Sequence, residues 1–229
     1  MNRFDQLKDF IKSQEFNMAL SMVATGISIS HPVYSAFISV FQGVTSVVDE
    51  FKIECVLRGM ATGINQEKQI NQMYNYVSKN EDNAFYIANT LRKALLSDSP
   101  IVCTILGRIL ADHISTETPY DREDKIIVHA LESATDDDIR LFMKIMREDI
   151  LKVGSKEEYE NFYHILQDNP ELQDSIDWCV SNRIFKENDV NDFGDTLSFE
   201  KSYSLTQVAF RLRKYAESVW QVFHYGLDK

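Results

Sequence analysis

The residues best placed for chemistry in this sequence are carboxylates near imidazoles: Asp112 stands directly before His113, and Glu123 and Asp124 precede His129. A carboxylate that meets an imidazole orients it and supports general acid–base work, provided the helices that carry the two groups pack together. Solvated helix ends account for the same residues without chemistry. The five histidines, His31, His113, His129, His164 and His224, include no two at the close helical spacing that brings both to one metal, so each reads as a turn or surface histidine. Cys55, Cys103 and Cys179 lie far apart among apolar neighbours, without a CxxC motif or a Cys/His pair at zinc-ligand spacing, and read as small buried hydrophobes. No glycine-rich phosphate loop, HExxH, GxSxG or EF-hand pattern occurs. The expectation is a non-enzymatic protein with no cofactor and no metal.

Composition narrows the partners. The chain of 229 residues is 44% hydrophobic with only 8 Gly and 4 Pro, which suits a packed helical protein with few tight turns. Its formal charge of -11 opposes non-specific attraction to nucleic acid or anionic lipid. The one compact basic group is Arg211, Arg213 and Lys214, the candidate contact for an anionic partner. The N-terminus lacks a positively charged region feeding an apolar signal core, and with unpaired cysteines this points to the reduced cytoplasm.

Helices must position these residues, and the apolar periodicity predicts them along most of the chain. Phe4, Leu7, Phe10 and Ile11 mark a short first helix; Ile53, Val56, Leu57, Met60 and Ile64 mark another, with a local break at Gly63. Stripes follow at 70–77 and 84–95. Ser99 and Pro100 form an N-cap and first helical residue, and the stripe from Ile101 to Leu110 predicts a deeply buried helix that breaks at 116–119. Ile126, Ile127, Ala130 and Leu131 carry the next. Thr135 and Asp138 have capping-box spacing before a helix expected to run through Ile150 to Gly154. After Pro170 a helix carries Leu172, Ile176 and Cys179, residues 184–205 read as a loop or β-hairpin, and Thr206 opens a final helix. The reading is an all-α protein, a helical array over 1–133 and a smaller module over 134–229.

The least usual feature is 16–48, which holds no Asp, Glu, Lys or Arg and is interrupted by Ser30, His31 and Pro32. Two apolar helices joined by a tight turn fit it, and such a surface must be buried by the protein's own core, by another copy or by a bilayer. Ile27, Tyr34, Phe37 and Phe41 are the candidate interaction positions; Tyr34 and Phe41, seven residues apart, share a helical face. Since Pro32 cuts the stretch into two pieces too short to span, a membrane-active effector is the lesser alternative.

The run Tyr203-Ser204-Leu205-Thr206, entering a helix after two helices and a short ribbon, resembles the closing half of a winged-helix domain of MarR-like regulators over about 134–215. That resemblance implies DNA reading by the helix before the wing, at 170–184. Glu171, Asp174 and Asp177 would set negative charge against phosphate there, with Arg183 the only cation. Gly26, Pro32, Gly43 and the helix over 51–60 are similar to Abi-alpha-like helical phage-resistance proteins. The expected function is a protein that binds a protein partner or its own copies, in phage defence, with a winged-helix DNA-binding regulator as the alternative.

Overall fold

The computed structural model describes residues 47–63, 72, 75–77, 79–148, 150, 151, 164–188 and 202–227. Capping side chains set where most of its helices start. α1 is Val47–Ala61. Asn80 accepts a hydrogen bond from the Asn83 amide at 2.8 Å and opens α2, Glu81–Leu96. Ser99 accepts from the Val102 amide at 3.0 Å and, with Pro100, opens α3, Pro100–Thr116. Asp121 and Asp124 form a full capping box for α4, Arg122–Ala130, and Thr135 and Asp138 form the expected one for α5, Asp136–Arg147. Asp136 also accepts from the Ser99 hydroxyl and from the Ile101 amide at 3.3 Å, so a first-turn carboxylate of α5 serves the start of α3 as well.

α5 stops at Arg147, short of the expected Ile150. The Glu148 amide closes on the Lys144 carbonyl at 3.0 Å and the Ile150 amide reaches back to Ile145 at 3.3 Å, a five-residue step that leaves the α-helical ladder. α6 is Pro170–Ser181. It ends in a Schellman turn: Arg183 adopts a φ of 61°, its amide bonds Val180 at 3.0 Å, and the Ile184 amide bonds Cys179 at 2.8 Å. That turn delivers the chain into β1, Phe185–Asn188, which pairs antiparallel with β2, Ser202–Leu205, in the register Phe185 to Leu205. Thr206 donates to the Ile184 carbonyl at 2.6 Å and accepts from the Ala209 amide at 3.3 Å, tying the ribbon to α7, Gln207–Leu227. Helices dominate the described residues, and the class is all-α with one small ribbon.

α3 is the axis of the core. Ile105, Leu106, Ile109 and Leu110 are fully buried, and the helix packs against α1, α2, α5 and α7. An all-round apolar surface makes such enclosure the stable arrangement. α1 crosses α3 at close range: a Cβ on Gly59 would lie 1.9 Å from the Thr104 carbonyl oxygen, and one on Gly107 would lie 2.0 Å from that of Val56. α7 closes the far side, burying Val208, Leu212, Tyr215 and Val219 against α3, α4 and α5. The division expected at 133/134 therefore has a helix from its second part packed on helices of its first. Cys55, Cys103 and Cys179 are buried and unpaired, as their apolar neighbours suggested. Burial pushes the Cys55 thiol up to about 11 and Cys103 up to about 12, so both stay protonated and poorly nucleophilic. Among the described residues no helix is long and apolar enough to cross a membrane.

Candidate functional site

The imidazole and carboxylate do meet, across α3 and α4. A capping box turns the N3 side chain back toward its own helix start, and this aims Asp124 at the last turns of α3. His113 Nε2 lies 3.0 Å from Asp124 Oδ2, a close approach that falls short of an aligned hydrogen bond. On the other edge of the ring, Nδ1 faces the Thr118 carbonyl at 3.1 Å and the Thr118 hydroxyl at 3.3 Å. Since a carbonyl only accepts, Nδ1 carries hydrogen; the contact with Asp124 is attractive when Nε2 carries one too. Tyr120 stacks on the imidazole at 4.1 Å and on Tyr86 at 4.9 Å. The expectation of turn or surface histidines fails at His113, which is 5% exposed because its helix end is covered by this aromatic stack. His129 meets the expectation: it is exposed, 3.6 Å from Glu132.

α7 completes the group. Arg211 reaches Asp121, Glu123 at 2.8 Å and Asp124 at 3.0 Å, and the Tyr215 hydroxyl donates to Asp124 Oδ1 at 3.2 Å. Asp124 is 1% exposed. Burial alone would raise its pKa; the His113 contact, the Arg211 guanidinium and the capping interaction with Asp121 outweigh it and hold the carboxyl well below its usual range. Burial and then the Asp124 charge push Tyr215 the other way, so it stays a phenol.

Stability against acid carries the sign of the Asp124 shift. Its contribution is complete above the ordinary Asp value of about 3.9 and is lost as pH falls through the depressed folded value. Denaturant titrations on the acid side are expected to show stability falling below about pH 5, with a shallower fall in Asp124→Asn. Equal slopes in both proteins would assign the acid loss to other carboxylates.

The basic trio does not present one face. Arg211 and Lys214 look into the space beside the His113 and Asp124 pair, where Lys214 Nζ stands 3.7 Å from Asp112. Arg213 turns to α5: its Nη1 donates to the Met146 carbonyl at 3.1 Å and its Nε to Glu217 at 2.8 Å. A cation at the carbonyl end of a helix is a favourable capping arrangement. An anionic partner at α7 would thus compete with carboxylates the chain already holds. Asp112, His113, Asp121, Glu123, Asp124, Phe210, Arg211, Lys214 and Tyr215 line a cleft of about 520 Å³. His113 is engaged through Nδ1, while its Nε2 has only the close approach of Asp124, and the three thiols lie in the core. Among the described residues no group of three or more His, Cys, Asp or Glu is placed to hold a metal ion.

A second feature lies at the start of α1. Val48 is 58% exposed, Phe51 47% and Leu96, at the end of α2, 59%. The Lys52 ammonium brings the two ends together by donating to the Leu95 carbonyl at 3.0 Å. The hairpin positions Ile27, Tyr34, Phe37 and Phe41 lie outside the described residues.

No family model, curated protein or solved structure matches this chain.

Proposed function

We propose that the chain is a non-enzymatic interaction protein that associates with its own copies, acting in phage defence as the resemblance to Abi-alpha-like proteins implies. The observation that carries the reading is the apolar edge of Val48, Phe51 and Leu96. Val48 and Phe51 are three residues apart and share a face of α1, and the Lys52 bond to Leu95 sets Leu96 beside that helix end. Val48 is the last residue of the uncharged stretch 16–48, so the stretch that most needs cover in the sequence ends on a side chain that lacks it in the fold. A chemical role has less support, since the ionised groups of the cleft are satisfied by one another.

The winged-helix alternative draws on the ribbon after α6, but its reading helix argues against DNA. Glu171, Asp174 and Asp177 are all exposed, and Arg183 sits in the left-handed turn. Phosphates would meet a negative face there.

Light scattering of the whole chain beside a Phe51→Asp, Leu96→Asp variant tests the reading. Phe51 is 47% and Leu96 59% exposed, so the variant is expected to keep its helicity while a wild-type multimer becomes a monomer. A monomeric wild type at high protein concentration removes self-association; a multimer that survives in the variant removes this edge as its seat.

A further inference from the structure

We infer that two copies of the chain meet along the outward face of α2, lying antiparallel across a two-fold axis between Phe85 and Ala88. The inference rests on the self-association reading and adds to it a partner helix and a register. Leu96, part of the apolar edge, stands about three turns beyond Phe85 on the same side of α2.

One side of α2 is core: Ala84, Ile87, Thr90, Leu91 and Ala94 are buried. The other carries Glu81, Phe85, Ala88 and Arg92, at steps of four, three and four residues, which is the spacing of a single helical stripe. Glu81 and Arg92 are exposed and Ala88 is partly so. Phe85 is 65% exposed, more than Val48, Phe51, Leu96 or Phe210.

The order of the stripe decides the occupant. In one direction it runs acid, large, small, base, and the steps are the same read backwards. An identical helix laid antiparallel therefore sets Glu81 against the partner's Arg92 and Phe85 against the partner's Ala88, and the two-fold axis repeats both contacts. A large ring opposite a methyl group lets the two helices interdigitate. A parallel copy would instead set acid on acid and base on base.

Charge favours the same pairing. At a formal -11 the chain repels its own copies, so they associate where opposite charges face each other. Neighbouring cations are already taken, Lys52 by Asp98 and Lys93 by Glu132. Glu81 and Arg92 have no ion pair among the described residues, and about 16 Å of helix keeps them from each other within one chain. The antiparallel arrangement satisfies both, and brings the positive start of each helix dipole to the negative end of the other.

The test is a concentration series by light scattering on the full chain, Glu81→Arg, Arg92→Glu and the double variant, with far-UV circular dichroism confirming that each is folded. Each single swap puts like charges together at both ends of the interface and is expected to raise the dimer Kd about tenfold. The double variant restores both pairs with their signs exchanged, and its Kd is expected to return to within about threefold of wild type. Both substitutions oppose the helix dipole, so recovery in the double variant cannot come from a more stable helix. Phe85→Ser is expected to weaken the dimer by about tenfold or more. A double variant no tighter than the singles, or swaps that leave Kd unchanged, overturns the antiparallel pairing. A multimer that Phe51→Asp, Leu96→Asp dissociates while the swaps do nothing keeps the apolar edge and loses the α2 pairing; a wild type that stays monomeric loses both.

Discussion

Gly107→Ala is expected to destabilise the protein by about 3 kcal/mol, at the upper end of what overpacking ordinarily costs. The sign is what makes the result informative. Alanine inside a helix normally gains about 0.5–1 kcal/mol over glycine, because glycine has more freedom to lose on folding. At Gly107 the added carbon would fall 2.0 Å from the Val56 carbonyl oxygen, and at Gly59 1.9 Å from that of Thr104. Both obstacles are backbone, which cannot swing aside as a side chain does, so α1 and α3 would have to move apart along their whole shared surface. For a chain of this length 3 kcal/mol lowers Tm by about 6–12 °C. Calorimetry on Gly59→Ala, Gly107→Ala and the double variant checks it. The double variant should fall short of the sum, because one separation of the helices relieves both clashes. An unchanged or raised Tm for either single variant would show that the crossing is looser than drawn.

The second large effect centres on Asp124. Asp124→Asn is nearly equal in volume but removes the charge around which His113, Arg211 and Tyr215 gather, and about 3–4 kcal/mol of stability is expected to go with it. The loss arises because His113, Arg211 and Tyr215 are left facing an amide in place of a carboxylate. Arg211 is a third exposed, and Arg211→Gln leaves Asp124 its Tyr215 bond and its capping contact with Asp121, so that variant is expected to cost less. Denaturant unfolding of Asp124→Asn, His113→Gln and the pair gives their coupling. A loss under about 1 kcal/mol for Asp124→Asn would mean that the network is not what joins α7 to the array.

How far the sequence revealed this arrangement depended on whether the deciding contact was local. Ser99 with Pro100, and Thr135 with Asp138, announce their helices within four residues, and both caps form. Asp121 and Asp124 carry the same spacing, although of the two only Asp124 reads in the sequence as a carboxylate near a histidine, and neither reads there as a helix start. The extent of α5 was misjudged because Ile150 keeps the apolar rhythm although its amide has left the helical ladder. Arg211 stood out as a cation, but its three acceptors come from α4, and nothing near it in the chain signals them. Tyr215 lies on the apolar stripe of α7 with Leu212 and Val219, and nothing in that spacing marks the hydroxyl that reaches Asp124. The glycine crossing was the least visible, since Gly59 and Gly107 mark no turn and matter only because the two helices meet there.

The place of α7 in the chain order has a consequence for synthesis. Arg211 lies 90 positions after Asp121, the residue whose carboxylate it meets. At about 5–20 residues per second, a ribosome leaves α3 and α4 without their cover for roughly 5–20 s, far longer than helices take to form and collapse. During that interval the apolar side of α3, and an Asp124 still without Arg211 and Tyr215, are open to whatever else is nearby, including a neighbouring nascent chain. Holding back α7 is therefore expected to prolong the aggregation-prone phase of the protein's life, and a chaperone that shields apolar helices would act there, before the last helix arrives.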